Sequence, residues 1–190
     1  MTNKSFKKFS FRLKRVINLS RSEKDQLMHL SIAEYPAFKR YYLKHQYYSV
    51  VRPQMEFSIK REGRKIIGTG KFLWRTIKVN KKSVRLFAFG VLIAKQYQKQ
   101  GLGSELVRRS IVEAKKRGAD LLYGSTSNPI MAKVLRRLGF KRLRIAVLYK
   151  NGETKKVERE SAKAYAFEFK RGLIGEIESH GKLFIGRGPL

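Results

Sequence analysis

Apolar and polar residues alternate along this chain in patterns that predict a mixed α/β fold. From Phe9 to Ile17, apolar and basic residues partly alternate, as is typical of a strand. Ser20 and Glu23 then stand at capping-box spacing, which predicts a helix that continues to about Ala33. Pro36 suits the first turn of a second helix. The chain therefore opens with a strand followed by two helices.

A run of strands is predicted next. Met55 to Arg61 and Lys65 to Trp74 flank a hairpin-type turn at Glu62-Gly63. A further turn is expected at residues 80–83. The segment from Val84 to Ala94 is almost continuously apolar, which indicates a strand covered on both faces. We expect this strand to form the centre of the sheet.

Gly90 interrupts this apolar segment. A single glycine inside a strand pattern often marks a bulge or a close approach of backbone. A glycine that simply permits close packing is an equally good interpretation of the sequence. Both alternatives stay open at this point.

Helical spacing returns at Leu102 and is maintained until Gly118. Residues 120–125 then read as a strand, and Asn128 followed by Pro129 predicts the start of a helix that stops at Gly139. One further strand and a short helix are therefore expected after the helix that ends at Gly118.

The last part of the chain gives weaker signals. Residues 143–149 and 164–169 flank an Asn151-Gly152 turn, and we interpret them as a closing hairpin. The final stretch, at about 171–190, is rich in glycine, and its pattern assigns it to no element.

Length and composition predict one domain, spanning residues 1–190. The chain has 190 residues, of which 42% are hydrophobic, enough for one core and too few for two comfortable ones. No apolar stretch reaches the length of about 18 residues that crosses a bilayer, and the N-terminus lacks the apolar core of a secretory signal. A cytoplasmic protein is expected.

The residue types present limit the chemistry. Cysteine is absent, so thiol catalysis, disulfides and cysteine-based zinc sites are excluded. The three histidines are isolated in the sequence, and we expect no metal site.

Charge changes the picture more strongly. The chain carries 44 Lys and Arg against 14 Asp and Glu, a net charge of +30. Such an excess usually matches a polyanionic partner, nucleic acid first and an anionic membrane surface second. A solvated basic coat without a specific partner is the alternative. The basic residues are spread along the chain, which favours a folded basic face over a disordered arm.

One short segment indicates where an anion would bind. Residues 98–103 read Gln-Lys-Gln-Gly-Leu-Gly and lie between the buried strand and the following helix. Gly101 and Gly103 let backbone N–H groups approach an anion, and the first turn of the helix adds unpaired donors. A plain strand-to-helix turn would carry the same short motif.

Three segments of the chain resemble the GNAT superfamily of N-acetyltransferases. They are the run from Val91 to Gly103, Asn128 to Ala132, and Leu138-Gly139-Phe140. The resemblance implies an α/β fold with a mixed, mostly antiparallel central sheet of about seven strands and flanking helices. It also implies a single acyl-CoA-binding domain that uses acetyl-CoA.

The resemblance assigns roles to residues of this chain. The loop would hold the cofactor's pyrophosphate through backbone N–H groups, Val91 and Ile93 would bond the pantetheine arm, and the N–H near Leu92 would polarise the thioester carbonyl. Gly90 would lie at the family's strand bulge. The cofactor-binding residues implied are Val91, Leu92, Ile93, Gln98, Lys99, Gln100, Gly101, Leu102, Gly103, Ser104 and Asn128.

The chain departs from the family pattern at both usual proton-handling positions. Many members have a Tyr where this chain has Leu135, and some carry a Glu on the central strand, where residues 85–89 contain no carboxylate. Glu56 is a candidate base, although an ion-pair partner among many cations is the commoner role. Tyr123 and Ser125 are candidate proton-handling hydroxyls, with strand packing as their alternative role.

Two classes of function follow. The first is an N-acetyltransferase that acts on a primary amine of an RNA-associated acceptor, such as an aminoacyl-tRNA, an RNA base or a ribosomal protein. The second is a catalytically weak or inactive GNAT-like module that binds RNA or the ribosome. A third possibility is a transferase with an incidental basic coat.

Aromatic residues at Tyr41, Tyr42, Tyr47 and Tyr48 lie in the region that covers the acceptor site in this family.

Overall fold

The helices and strands of the chain follow its apolar pattern closely over the first two thirds of the sequence. A computed structural model describes residues 8–45, 51–61, 65–152 and 154–188. The strands in these ranges are β1 (Phe9–Arg15), β2 (Met55–Arg61), β3 (Lys65–Val79), β4 (Lys82–Ile93), β5 (Leu121–Thr126), β6 (Lys141–Arg142), β7 (Ala146–Asn151), β8 (Val157–Arg159), β9 (Lys163–Glu168) and β10 (Lys182–Gly188). The α-helices are α1 (Arg21–Glu34), α2 (Lys39–His45), α3 (Leu102–Lys116), α4 (Pro129–Arg137) and α5 (Leu173–Ser179).

Hydrogen bonding groups the strands into two sheets. Seven strands follow the order β1-β2-β3-β4-β5-β9-β6, and three more follow the order β10-β7-β8. In the larger sheet, β4 and β5 run parallel, whereas β1 with β2, β5 with β9 and β6 with β9 run antiparallel. The predicted mixed, mostly antiparallel sheet of seven strands with flanking helices is confirmed.

The contacts between residues divide the chain into two compact units. Unit 1 comprises Met1–Lys71 and Val91–Leu106, and unit 2 comprises Phe72–Gly90 and Val107–Leu190. Strands β3 and β4 each contribute residues to both units. The single domain expected from length and composition stays a prediction.

Unit 1 begins with a strand and a capped helix, as predicted. Strand β1 pairs with β2 along its whole length. At the start of α1, the Ser20 hydroxyl accepts a hydrogen bond from the Glu23 N–H at 3.2 Å, and the Glu23 carboxylate accepts one from the Ser20 N–H at 3.0 Å. Lys14 donates to the same carboxylate at 2.8 Å. This capping box fixes where the helix begins.

The core of unit 1 consists of two apolar clusters. Neighbouring residues of β4 enter different clusters, Leu92 one and Ile93 the other, because successive side chains of a strand point to opposite faces. The buried members of the first cluster are Leu19, Leu27, Leu30, Ile66, Leu92 and Ala94, and those of the second are Phe57, Ile59, Ile67, Ile93, Leu102 and Leu106. The end of β4 is therefore held from both sides.

In unit 2, β5 is the buried strand between β4 and β9. Leu121, Leu122 and Tyr123 are fully buried. A row of phenylalanines packs beside them, with ring centroids 5.6 Å apart for Phe89 and Phe140 and 5.5 Å apart for Phe140 and Phe167. These contacts position the strand that carries two of the candidate hydroxyls.

The predicted closing hairpin is wrong about which strand pairs with β7. Strand β7 does turn back after Asn151, but it pairs with β8, the short segment Val157–Arg159, while β9 pairs with β5 and β6. The sequence of β8 is Val-Glu-Arg, too short and too polar to signal a strand. The buried residues of β9 fit the larger sheet, so β9 pairs with strands of that sheet and not with β7 as the hairpin prediction had it.

The glycine-rich segment that the pattern left unassigned forms a helix and a strand. Helix α5 buries Leu173, Ile174 and Ile177, and β10 pairs in parallel with β7. Its glycines masked the apolar spacing that these elements need to be recognised.

The remaining differences concern boundaries. Strand β3 continues to Val79, five residues beyond the predicted end, and the turn that follows contains Asn80 and Lys81 with φ of 48° and 66°. The Glu62-Gly63 turn lies outside the described residues. Among the helices in the described part of the chain, none has the length and apolar character needed to cross a membrane.

The capping box of α1 gives a prediction on stability and its pH dependence. Burial opposes the ionisation of Glu23, but hydrogen bonds from Lys14 and the Ser20 N–H outweigh it and lower its pKa from 4.5 to about 2. Its carboxylate therefore stabilises the fold above pH 4.5, and this contribution is lost as the pH falls from 4.5 towards 2. Urea unfolding should show that Ser20→Ala lowers the free energy of unfolding by about 1 kcal/mol at pH 7.

In the same titration, Glu23→Gln should flatten the fall in stability over this acidic range. Asp25→Asn is the matched control, because Asp25 is an exposed acid on the same helix. Equal pH profiles for the two variants would contradict the assigned role of Glu23.

Candidate active site

The loop between β4 and α3, residues 98–103, adopts an irregular backbone and is called here the glycine loop. Its φ angles alternate in sign, with Gln98 at −67°, Lys99 at +62°, a negative value at Gln100 and Gly101 at +85°. Gln98 is extended, with ψ of 167°, so the irregular backbone is centred on the left-handed Lys99 and Gly101. Helix α3 begins at the next residue, and Glu105 N–H bonds Gly101 O at 3.0 Å.

Lys99 is strained in a way that points to function. A non-glycine residue in the left-handed region costs about 1–2 kcal/mol. Of the described non-glycine residues with positive φ, Asn80, Lys81 and Lys155 lie in hairpin turns, and Lys99 lies between a strand and a helix. Strain of this kind is retained where the backbone must present its N–H groups in a fixed direction.

The glycine loop is attached to the end of β4. The Gln98 side-chain amide donates to Ile93 O at 3.0 Å, and Gln98 N–H donates to Lys95 O at 3.2 Å. Since its side-chain amide and its backbone N–H both donate within the chain, Gln98 fixes the loop and is not itself a donor to an anion. Leu102 is 1% exposed and packs into the core, so the first turn of α3 is anchored as well.

Other residues implied for cofactor binding have mixed surroundings. Val91 is half-buried, Leu92 and Ile93 are buried, and their side chains belong to the core, which leaves only backbone groups for a ligand. Lys99 and Gln100 are exposed, and Ser104 is buried. The structure thus brings residues 91–93 and 98–104 together in unit 1.

Asn128 lies in unit 2 and caps α4. Its Oδ1 accepts from Ile130 N–H at 2.9 Å and from Met131 N–H at 3.3 Å, as the predicted N-cap requires. On the same helix, Leu135 is buried, so this position supplies neither a hydroxyl nor access to a substrate.

Gly90 is not a packing glycine. A Cβ built on it would meet nothing within 4 Å, so the close-packing interpretation fails. Within unit 2, the parallel pairing of β4 with β5 joins Leu86–Ala88 to Leu121–Tyr123 and ends there. The space at Gly90 follows the end of that ladder, which favours a backbone irregularity there.

Tyr123, Ser125 and Glu160 form a group of hydroxyls and a carboxylate in unit 2. Ser125 Oγ donates to Glu160 Oε2 at 3.1 Å, and Ala162 N–H donates to Glu160 Oε1 at 3.1 Å. The Tyr123 hydroxyl is buried without a hydrogen-bond partner among the described residues. Burial and then the charge of Glu160 raise the pKa of Tyr123. Tyr123 therefore keeps its proton and can donate a hydrogen bond.

Sequence reasoning missed Glu160. It lies between β8 and β9, 35 residues from Ser125, and nothing in its local spacing marks it. The one available signal was the scarcity of carboxylates in this basic chain, which makes each acidic residue beside a strand end worth attention.

Glu56 lies in unit 1 and is buried, although the sequence suggested that its carboxylate lies at the surface. It is 1% exposed, and the Thr69 hydroxyl donates to its Oε1 and also contacts Phe57 O at 2.9 Å. Lys71 lies two residues beyond Thr69 on β3. Burial lowers the pKa of Lys71, and the charge of Glu56 opposes that effect. This pairing favours the ion-pair interpretation of Glu56 over the catalytic one.

The tyrosines near the second helix are only partly described. Tyr42 is buried, and Tyr41 packs on His45 with ring centroids 4.3 Å apart. Tyr47 and Tyr48 lie outside the described residues. A stacking surface for an acceptor in this region stays a prediction.

Comparison with known proteins gives a family match. A family model described as "Acetyltransferase (GNAT) family" matches residues 24–140, which is more than half of the chain. No curated protein matches the sequence.

Solved structures show a shared fold. A GNAT family acetyltransferase from Brucella melitensis in complex with acetyl-CoA has a TM-score of 0.51 at 11% identity, over 84% of this chain and 88% of that one. The ribosomal-protein-S18-alanine N-acetyltransferase from Escherichia coli has a TM-score of 0.52 at 19% identity, over 84% and 94%. At such identities the likeness concerns the fold alone.

A longer protein is also similar. The GCN5-related N-acetyltransferase from Kribbella flavida has a TM-score of 0.52 at 14% identity, over 72% of this chain and 34% of that one. The chain therefore spans about a third of that protein.

The buried group around Glu56 gives a second prediction. Thr69→Val keeps the shape of the side chain but removes a donor from a buried carboxylate, so the free energy of unfolding should fall by about 1–3 kcal/mol. Thr69→Ser retains the hydroxyl and is the matched control. Urea unfolding compares the two, and a loss in Thr69→Ser without a loss in Thr69→Val would show that the methyl group, rather than the hydroxyl, provides the stabilisation.

Proposed function

The chain belongs to the acetyltransferase (GNAT) family, whose members take the acetyl group from acetyl-CoA, and on this premise we propose that it acetylates a primary amine of an RNA-associated acceptor. The proposed acetyl-CoA site rests mainly on the glycine loop. Its φ angles alternate in sign, and it directly precedes the first turn of α3. The chemistry of this donor set fits a pyrophosphate, because backbone N–H groups at a helix start bind anions without charged side chains.

In this proposal, the glycine loop and the start of α3 bind the pyrophosphate of acetyl-CoA. Lys99, Gln100, Gly101, Gly103 and Ser104 present the loop's backbone. Val91 and Ile93 bond the pantetheine arm through backbone groups. Leu92 N–H would donate to the thioester carbonyl oxygen, where a hydrogen-bond donor stabilises developing negative charge. In unit 2, Asn128 caps α4, and the family resemblance assigns it to the pantetheine arm as well.

Acetyl transfer to an amine also needs a path for one proton. Ser125 donates its own proton to Glu160, so its oxygen lone pairs are directed elsewhere and suit the N–H of an attacking amine. As the amine nitrogen bonds the acetyl carbon, the amine proton would pass to Ser125 Oγ and the Ser125 proton to Glu160, while the C–S bond breaks and coenzyme A leaves as its thiolate. Tyr123, which keeps its proton, donates a hydrogen bond to the leaving sulfur.

Charge supports an RNA-associated acceptor. A small cationic amine would be repelled by a chain at +30, whereas an amine carried by RNA or by a ribosomal particle arrives with a polyanion. A structural neighbour that acts on a ribosomal protein is compatible with this choice. Such acceptors also place the protein in the cytoplasm.

The alternative function is a GNAT-fold module that binds RNA with little or no transfer activity. The buried Leu135 favours it, because the hydroxyl that many family members use at this position is missing. The two functions differ in one observable, since the module would bind RNA but turn over no acetyl-CoA.

The glycine loop gives a prediction on cofactor binding. Gly101→Ala forces a side chain into a backbone with φ of +85°, which distorts the loop and should weaken acetyl-CoA binding by at least about tenfold. Calorimetric titration in about 0.15 M salt measures the affinity.

Gly172→Ala is the matched control for this variant. Gly172 has φ of +84° and also directly precedes a helix, α5, but lies outside the glycine loop. It carries the same backbone strain and should bind acetyl-CoA as the parent protein does. Equal losses in both variants would trace the effect to general strain and reject the site.

The proton path gives a prediction on rate. Glu160→Gln and Ser125→Ala should each lower the rate of acetyl transfer by about 10² to 10⁴-fold while leaving acetyl-CoA affinity within about twofold. Transfer from labelled acetyl-CoA to aminoacyl-tRNA, deacylated tRNA and ribosomal particles measures the rate and finds the acceptor. Glu158→Gln is the control, because Glu158 bonds Tyr149 and Asn151 instead. Unchanged rates in the Glu160 and Ser125 variants would remove them from the mechanism.

A further inference from the structure

A pocket in unit 2 brings three guanidinium groups together beside two aromatic rings. Its volume is about 350 Å³. None of its residues belongs to the glycine loop or to the proton path. The pocket is lined by Trp74, Arg75, Thr76, Arg85, Phe87 and Arg117.

Arg75 is fixed by backbone carbonyls and not by a carboxylate. Its Nη1 donates to Ile185 O at 2.9 Å and to Arg187 O. Gly186, with φ of +83°, makes this contact possible, since a Cβ there would lie 2.8 Å from the same nitrogen. Burial, with the nearby charge of Arg187, lowers the pKa of Arg75. Its cation would therefore gain from an anion.

Arg117 is held by a stack of rings and by one acidic residue. Its guanidinium carbon lies 5.3 Å from the centroid of the Trp74 ring, and that ring stacks on Phe87 at 5.5 Å and 21°. Glu113, one turn earlier on α3, accepts from Nε of Arg117. The direction of this guanidinium is thus set before any ligand arrives.

Arg85 completes the group. It is exposed, and its guanidinium lies against Gly118, where a Cβ would collide with it. In the described part of the chain, neither Arg85 nor Arg75 forms an ion pair with a carboxylate. Among the three arginines of this pocket, Arg117 pairs with a carboxylate, that of Glu113, in the described part of the chain.

We propose that this pocket binds a phosphodiester group of RNA. The guanidinium fork matches the oxygens of a phosphate, and three arginines line this one cavity, so an anion that enters it gains charge-assisted hydrogen bonds. A net charge of +30 suits a polymer with many phosphates better than a single small anion. The site shares its partner with the proposed function but requires no acetyl transfer.

The test compares two double variants that remove the same charge. Arg85→Ala with Arg117→Ala should lower the affinity for a labelled RNA of about 20 nucleotides by at least about tenfold, and should reduce the salt slope of binding by about two. Arg136→Ala with Arg137→Ala, at two exposed positions at the end of α4, should lower it by about twofold or less. Fluorescence anisotropy in about 0.15 M salt measures both.

Trp74 provides a local readout, because it is the single tryptophan of the chain. RNA should change its fluorescence in the parent protein and in the Arg136 and Arg137 variant, but not in the pocket variant. Single Arg85→Ala, at an exposed side chain, replaces the double variant if the latter melts at a lower temperature.

Several outcomes would overturn the proposal. These are equal losses of affinity in the two double variants, unchanged Trp74 fluorescence on RNA binding, or tighter binding to phosphatidylglycerol vesicles than to RNA. Acetyl-CoA titration separates the two proposals. A Gly101→Ala variant with unchanged acetyl-CoA affinity rejects the cofactor site without touching the pocket, and lost RNA binding with intact acetyl transfer supports the pocket alone.

Discussion

Burial of β4 on both faces is the constraint from which the organisation of this protein follows. Its buried side chains are apolar, and from Val84 to Ile93 the strand carries neither a carboxylate nor a hydroxyl. What it can offer a ligand is its backbone, and the glycine loop after it extends that backbone into α3. In unit 2, Ser125 and Glu160 lie on and beside β5 and are joined by a hydrogen bond, and the proposed proton path uses this pair.

The few acidic residues are largely committed to holding structure. Glu23 caps α1 and pairs with Lys14, Glu168 pairs with Lys141 and accepts from the start of α5, and Glu176 pairs with Lys82. Hydrogen bonds and basic neighbours lower the pKa of Glu176, and at Glu168 they do so against the opposing effect of burial. Because 14 acidic residues cannot neutralise 44 basic ones, a net charge of +30 remains to attract a polyanion.

Local signals in the sequence predicted local structure well. The Ser20 and Glu23 capping box and the Asn128 cap are formed by residues within three positions of one another, and both are present as predicted. The exact bounds of β2 were also predicted, because charged and glycine residues end its apolar pattern.

Features that depend on distant residues were not predicted. The partner of β7 is decided by competition between strands, and Glu160 meets Ser125 only after β8 and β9 are in place. Glu56 looked like a surface acid because its neighbours Thr69 and Lys71 belong to another strand. Its burial follows from strand pairing, which a single sequence does not display.

The contact between Arg75 and β10 has a further consequence for the order of folding. The two partners are separated by 110 residues, so closing this contact carries the loop entropy of most of the chain. During synthesis, β7 has only β8 beside it until residues 182–188 have been made. The guanidinium cluster is therefore assembled late, and a growing chain can complete the capped helix of unit 1 well before it acquires its arginine pocket.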